Sequence, residues 1–488
     1  MEIRSFAAEE LGNTSYLLLV PEAGVAVALD PMRDVAQYLD VADAMGLGLT
    51  WALETHVHND FVSGARELRS EVGAAVGASR SAELRHPYEP LSDGQELNVG
   101  PFRLRVLATP GHTPEHVSYL LLDETGRALA LFSGGALMAG TAARPDLLGP
   151  ADSWRLASML RQSIQGRLMV LPDAVRVLPT HLGGSFCAAG AGDVRETTIG
   201  AERERNPLAR ATGDAAFIEL ALDQGPYPAY FDRMRALNQL GAPMLGRRLP
   251  APPRLSLEDF DAWQARGAAV LDLRPPEAFA EAHVPGSYAV GVDGSHSAWV
   301  GWLLPPDRSL VLVADDAAQE RESVRQLARI GFDLVVGGID GGLRTWIDAG
   351  RPVSSYPRTW SRDLERRLLA GERLVVVDVR EPGEWFAGHV PGSVNIPVHD
   401  VFFKAAQLPL GTTLAVNCGH VYRATLGASL LERSGHDHLM VVEDGYDGWA
   451  RRRGAADASR FGRDPDQGRD PDQGRDPAGT VDLKALDV

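Results

Sequence analysis

One stretch of this chain occurs twice, and the repeat constrains the fold more than any single motif. The first copy reads Leu271-Asp272-Leu273-Arg274, then His283-Val284-Pro285-Gly286-Ser287. The second reads Val377-Asp378-Val379-Arg380, then His389-Val390-Pro391-Gly392-Ser393. Both continue through an apolar strand and a helix to a Gly-rich turn that ends in Trp346 or Trp449. Alternating strand and helix predicts a small parallel sheet covered by helices, built twice. The copies differ in chemistry. The strand 413–417 delivers Cys418, with Arg423 five residues on. At the matching place the first copy has Asp315, with Glu320 for the arginine.

The rest of the chain divides around this pair. Residues 1–245 alternate short apolar strands (15–20, 25–30, 51–54, 102–108, 117–122 and 128–132) with helical stretches at 34–44 and 61–72. Turns at Ser92-Asp93-Gly94 and Glu124-Thr125-Gly126 read as hairpin connections. A proline-rich linker, Leu249-Pro250-Ala251-Pro252-Pro253, precedes the copies at 254–353 and 358–454. Residues 455–488 carry two tandem copies of Arg-Asp-Pro-Asp-Gln-Gly and little to bury, which predicts a disordered tail. A net charge of −17 argues against nucleic acid and anionic membranes as partners. No apolar run approaches the ~20 residues of a membrane span. Met1-Glu2-Ile3-Arg4 has no secretory pattern, and two cysteines form no disulfide framework, so a reducing cytoplasm is the expected setting.

Cys418 stands where a buried strand meets a helix expected to start near Ala424. The loop Cys418-Gly419-His420-Val421-Tyr422-Arg423 would turn backbone N–H groups inward. Together with the helix dipole and Arg423 it would lower the thiol pKa. A buried free cysteine is common, but here strand-end placement, Gly419 and the arginine coincide. Four residues separate cysteine from arginine, one fewer than in protein tyrosine phosphatases, a cradle suited to a single extra sulfur. These motifs, with Gly445-Tyr446-Asp447-Gly448-Trp449, resemble the rhodanese family across 358–454. The resemblance implies that Cys418 carries a sulfane sulfur as a persulfide, stabilised by Arg423, with Gly419, Val421 and Tyr422 lining the substrate. Val421 departs from the family's usual glycine. The first copy resembles the same fold without a nucleophile, with a structural or interfacial role. His283 and His389 occur in both copies and so read as braces of a turn.

In the N-terminal block, His56-Val57-His58-Asn59-Asp60 follows a strand, Gly111-His112-Thr113 follows another, and Thr180-His181-Leu182 a third. Histidines on strand-end loops can converge on one point, and neutral imidazole suits iron or zinc. His86, His116 and His296 lack such a pattern and read as structural or surface residues. With Leu29-Asp30-Pro31, Phe61-Val62-Ser63-Gly64 and Arg144-Pro145-Asp146-Leu147, the block resembles the metallo-β-lactamase superfold, two sheets face to face with helices outside (αββα). The order of metal domain, cysteine-less rhodanese and intact rhodanese is similar to the persulfide dioxygenase–rhodanese fusions.

That resemblance implies an Fe(II) site, with zinc as the alternative metal. His56 and His112 carry over as ligands, but Gly135 stands where the family has an aspartate. Three readings follow: a dead site, a His56–His58–His112 site, or a site completed by Asp60 or another nearby acid. His181 is a further candidate ligand, and Cys187 a candidate for handling persulfide near the metal. The function implied is sulfane-sulfur metabolism: oxidation of a low-molecular-weight thiol persulfide to sulfite, and sulfur transfer to give thiosulfate. The alternatives are a non-catalytic sulfur carrier or scaffold, and a metal-dependent thioester hydrolase of the glyoxalase II type. Family members tend to be dimers or tetramers, so self-association is an expectation from the resemblance.

Overall fold

The structure, a computed structural model, describes residues 1–183, 185–187 and 194–457. The expected disordered tail at 455–488 falls almost wholly outside them. Among the described residues the strands form four sheets.

The first sheet orders Glu2–Ala8, Asn13–Val20, Val25–Leu29, Gly48–Leu53, Ala75–Ser79 and Glu89–Leu91. The second orders Thr197–Thr198, Arg176–Pro179, Ala128–Gly134, Val117–Leu122, Phe102–Ala108 and Glu96–Val99. Side chains alternate along a strand, and that alternation sets the layers. Tyr16, Leu18 and Val20 share one core with Leu104, Val106, Tyr119 and Phe132 of the other sheet. Leu17 and Leu19 turn the other way, into a cluster with Tyr38, Leu39 and Leu68 from the helices Ala36–Ala44 and Ala65–Val72. On the far side, Leu120, Leu122 and Leu131 pack with Ala157 and Leu160 of Pro150–Arg161 and with Phe217 of Asp214–Leu222. The layering is helix, sheet, sheet, helix, as expected. It explains why Ser15–Val20 is apolar at nearly every position: both faces of the strand are covered.

Two local expectations change. The turn at Ser92–Gly94 is no hairpin, because Glu89–Leu91 and Glu96–Val99 lie in different sheets; it carries the chain from one layer to the other. The helix expected from residue 61 begins only at Ala65. Its would-be first turn is committed elsewhere, with Ser63 N–H donating to Asn238 Oδ1 at 3.0 Å and Gly64 N–H to the Pro31 carbonyl at 2.7 Å.

The two repeats give matching parallel sheets. One orders Arg254–Leu255, Val335–Ile339, Leu310–Val313, Ala269–Asp272 and Tyr288–Ala289. The other orders Arg358–Thr359, Leu439–Val442, Thr413–Asn417, Leu374–Asp378 and Val394–Asn395. The shared motifs play the same part twice. Arg274 Nη2 donates to Asp272 Oδ2 at 2.7 Å, and Arg380 Nη2 to Asp378 Oδ2 at 2.8 Å, all four side chains buried. His283 stacks on Phe279 at 3.9 Å and His389 on Trp385 at 3.8 Å. Each histidine also holds the carbonyl of its stacking partner through Nδ1.

By contact density the chain forms two compact units that do not follow the repeat boundaries. Residues 1–252 are joined by 295–308 and 321–335 from the first repeat; the other unit holds 253–294, 309–320 and the chain from 336 onward. No helix among the described residues is long and apolar enough to cross a membrane.

Candidate functional site

Three strand-end loops bring His56, His112 and His181 together. One ring nitrogen from each lies within 4.8 Å of the others, and all three side chains are buried. His56 Nε2 and His181 Nε2 are 3.3 Å apart, and His112 Nε2 has no hydrogen-bond partner.

The surrounding network assigns the tautomers. His112 Nδ1 donates to the Arg144 carbonyl at 2.7 Å. His56 Nδ1 lies 2.8 Å from Thr55 Oγ1, whose own hydrogen goes to Asp30 Oδ2 at 2.8 Å, so Thr55 accepts from His56. Asp30 is the acceptor throughout. Burial opposes its charge, but His58 and the Thr180 and Thr55 donors more than offset this and hold its carboxyl below the usual range. His181 Nδ1 faces Asn13 Oδ1 and Asp60 Oδ2, both at 3.2 Å, and Asn13 Nδ2 donates to that same Asp60 oxygen at 2.6 Å. Every Nδ1 therefore carries the hydrogen, and three Nε2 lone pairs face one another. Burial, then the neighbouring imidazoles, hold His56 well below its ordinary pKa, and burial first of all takes His112 down to about 3. At neutral pH His56 and His112 are uncharged donors.

The other expected metal residues border this trio, and His58, Asp60 and His181 make a second buried group whose ligand atoms lie within 4.8 Å of one another. His58 turns away, with Nε2 3.1 Å from Glu54 Oε2 and 3.3 Å from Asp30 Oδ1, and its ring stacks on Phe61 at 4.1 Å. Burial disfavours its charged form, but the two carboxylates outweigh it and raise its pKa to about 10. The convergent imidazoles are therefore His56, His112 and His181, while two carboxylates hold His58. Asp60 stands at the Nδ1 side of His181, as an orienting carboxylate. Cys187 is fully buried; burial, then the adjacent Asp60 charge, push its thiol well above the ordinary range. His116 is also buried: Nε2 accepts from Gly135 N–H at 3.0 Å, and the ring stacks on His56.

Gly135 lies against the trio. A Cβ built there would sit 2.7 Å from His112 Cδ2, 3.0 Å from His112 Cγ and 2.8 Å from Ala143 Cβ. The His112 ring occupies the space a side chain at 135 would need, so the arrangement has no room for a two-histidine, one-carboxylate triad completed at that position. The three-nitrogen set does fit a cation. Zn–N bonds of ~2.0–2.1 Å in tetrahedral geometry place two ligand nitrogens about 3.3 Å apart, the separation of His56 and His181 Nε2.

In the second unit, Cys418 closes the strand Thr413–Asn417 and is buried. The following helix, Val421–Arg433, starts three residues earlier than expected, so Arg423 belongs to its first turn. Ala424 N–H donates to Cys418 Sγ at 3.2 Å, while Cys418 Sγ itself donates to the His420 carbonyl. The expected low pKa does not follow. Burial raises the thiol to about 12, against the opposing pull of Arg423 and the backbone amides. Arg423 is engaged elsewhere, donating to both oxygens of Glu384 at 2.6 and 2.7 Å. A carboxylate thus answers the charge that was expected to stabilise a thiolate. Gly419 and Val421 are half-buried at the loop. Tyr422 reaches across the same unit to donate to the Gly291 carbonyl at 3.0 Å, against Gly294 of the cysteine-less copy. Asp315 of that copy is exposed at the matching strand end.

Sequence reasoning missed Asn13, Tyr230 and Glu384, which carried no local signal. Asp30 and Arg144 were noticed only as parts of matching stretches, without a role.

Residues 256–349 and 362–452 each match the rhodanese-like domain family. A metallo-β-lactamase from Staphylococcus aureus subsp. aureus COL is 30% identical, covering 69% of this chain and 98% of its own, with a TM-score of 0.61. A hydroxyacylglutathione hydrolase of Acidiphilium cryptum (strain JF-5) is 34% identical over 135 residues, 27% of this chain and 55% of that protein. The mitochondrial persulfide dioxygenase ETHE1 of Bos taurus is 31% identical over 169 residues, 34% of this chain and 63% of that protein. The chain thus spans 55% to 63% of these curated relatives. With its two sheets, strand-end histidines and paired parallel sheets, the chain belongs to the family of fusions that join a metallo-β-lactamase-fold domain, related to persulfide dioxygenases and hydroxyacylglutathione hydrolases, to two rhodanese-like domains.

Proposed function

We propose that this protein is an enzyme of sulfane-sulfur metabolism with a metal centre in the N-terminal unit and a sulfur-carrying cysteine in the last repeat, 358–454. The observation that carries the metal half is the facing of three buried Nε2 lone pairs, two of them 3.3 Å apart. Lone pairs in that arrangement repel unless a cation lies among them. His56, His112 and His181 would hold it; iron or zinc suits three imidazoles. A bound cation would supply Lewis-acid polarisation, and with iron also O₂ chemistry, at a thiol persulfide. The chain's own contribution is orientation. Thr55, the Arg144 carbonyl and the Asn13–Asp60 pair fix the three rings, and the buried surroundings exclude water.

The rhodanese half works through Cys418. Deprotonated, its sulfur attacks the outer sulfur of a persulfide R–S–SH; the S–S bond breaks and R–SH leaves with the proton. Sulfite then attacks the outer sulfur of the Cys418 persulfide, giving thiosulfate and returning the Cys418 thiolate. Ala424 N–H stabilises the anionic sulfur in both steps, helped by the part of the Arg423 charge that Glu384 leaves unanswered. Because the resting thiol donates to the His420 carbonyl, the loop must release that hydrogen before attack.

A second reading, a metal-dependent thioester hydrolase, has its own support: the hydroxyacylglutathione hydrolase likeness and a donor set of three histidines. A non-catalytic sulfur carrier is the third. One set of assays separates them: metal content, O₂ uptake on glutathione persulfide, thioester hydrolysis, and thiosulfate formation over many turnovers. The expected result is one iron per chain, lost in His181→Ala, O₂ uptake on the persulfide, and catalytic thiosulfate formation abolished in Cys418→Ser. Thioester turnover without O₂ uptake overturns the oxidative half in favour of the hydrolase. Single loading without turnover makes the protein a carrier.

A further inference from the structure

The loop that carries Asp60 is held by parts of the cysteine-less repeat. The helix His296–Leu303 and the segment 321–335 both belong to the N-terminal unit. Arg329 is fully buried there. Its Nε and Nη2 donate to the two oxygens of Asp34 at 2.9 and 2.7 Å, and Nη1 donates to Glu10 Oε1 at 2.7 Å. The Arg329 carbonyl accepts Val62 N–H at 2.6 Å. Arg33, 1% exposed, answers in the opposite direction: it pairs with both oxygens of Asp333 and donates to the Ala328 carbonyl at 3.2 Å.

A second contact reaches the same loop. A Cβ at Gly301 would fall 2.2 Å from Tyr230 Cδ1, so only glycine lets the tyrosine ring lie there. Tyr230 OH donates to the Asp60 carbonyl at 2.9 Å. The backbone is therefore fixed at Asp60 by Tyr230 and at Val62 by Arg329. Apolar packing alone would dock two helices more cheaply than two buried guanidinium–carboxylate networks. Such networks do fix register, and Asp60 needs register: its Oδ2 meets Asn13 and His181 Nδ1.

We infer that the cysteine-less repeat is the positioning element of the metal centre: Arg329 through Val62, and Gly301 through Tyr230, set the Asp60 loop and so aim His181. The inference rests on the metal reading above. It assigns the copy without a nucleophile a task in the other copy's partner chemistry, at the centre it never touches. Arg329 and Tyr230 are positioning residues and meet no reacting atom.

The test uses the full chain with Arg329→Met, Tyr230→Phe and, as control, Arg344→Ala, an exposed residue of the same repeat that pairs with Asp348. Two quantities are read: hydrogen exchange of the peptide covering 56–64, and Co(II) affinity with its visible spectrum. Arg329→Met keeps the carbonyl that Val62 N–H meets but frees the segment that carries it from Asp34 and Glu10, and is expected to speed exchange at Val62 by about fivefold or more, the worth of a weakened hydrogen bond. Co(II) should bind about 10- to 100-fold more weakly, the usual cost of losing an outer partner. Tyr230→Phe should shift both in the same direction by less, and Arg344→Ala neither. Wild-type exchange and wild-type Co(II) affinity in the folded Arg329→Met and Tyr230→Phe proteins would overturn the inference. If Arg329→Met does not fold, Tyr230→Phe, which removes one hydroxyl, decides alone. If the wild type binds no Co(II), the metal reading fails, and the exchange measurement still decides whether the repeat positions the loop.

Discussion

Restoring the missing carboxylate is the sharpest perturbation, because sequence and structure lead to opposite expectations. By family position alone, Gly135→Asp completes a two-histidine, one-carboxylate triad. In the structure the new Cβ would meet His112 Cδ2 at 2.7 Å and Ala143 Cβ at 2.8 Å. Neither neighbour yields easily: His112 is tied to the Arg144 carbonyl at 2.7 Å, and Ala143 N–H to the Gly135 carbonyl at 2.9 Å. Overpacking of this kind costs about 1–3 kcal/mol. Borne wholly by the His112 geometry, it weakens metal binding about 5- to 150-fold. Gly135→Ala carries the steric part without the charge and should lose nearly as much. The assay is a competition titration of Fe(II) and Zn(II) against a chelator, with O₂ uptake on glutathione persulfide alongside. Tighter Fe(II) binding and new O₂ uptake in Gly135→Asp, absent in Gly135→Ala, would refute the reasoning. That result would mean that His112 yields and the carboxylate takes its family place.

Four further outcomes follow from the same geometry. Asp60→Asn keeps the shape but removes the charge behind His181 Nδ1, and metal affinity should fall about 10- to 100-fold in the same titration. Alkylation of Cys418 by iodoacetamide should climb about tenfold per pH unit from pH 7 to 10, since only the thiolate reacts and its pKa of about 12 lies above that window; a plateau below pH 8 contradicts the buried-thiol assignment. Glu384→Gln leaves the Arg423 charge unopposed beside that thiol, so alkylation at pH 8 should speed up, and an unchanged rate means the pair has no hold on Cys418. Asp378→Ala strands the buried Arg380 charge and should cost about 3–5 kcal/mol of stability, read as a lower urea midpoint.

Much of this was legible in the sequence because the signals are local. The repeat spelled out two equal parallel sheets, and the strand order is the same in both. Strand periodicity put His56, His112, His181 and Cys418 at strand ends, and Gly135 marked the absent ligand. Turn and helix starts were less legible. Ser92–Gly94 reads as a hairpin turn whichever sheet its next strand joins, and the late helix start at Ala65 depends on acceptors at Pro31 and Asn238.

The orientation of each reactive atom was decided only in three dimensions. His181 takes its tautomer from Asn13, 168 residues away, and His112 from Arg144, 32 residues away. Arg423 gives its charge to Glu384, 39 residues back, and Cys418 keeps its proton because burial outweighs the groups meant to remove it. The sequence by itself determined which side chains reach the two sites, since periodicity and strand ends are properties of short segments. Which nitrogen, which charge and which protonation state each presents came from partners far along the chain, because hydrogen bonds and desolvation depend on distance in space. The same reason explains the cysteine-less repeat: its motif predicted a second rhodanese-like fold, but only the packing showed Arg329 closing on the loop behind the histidines.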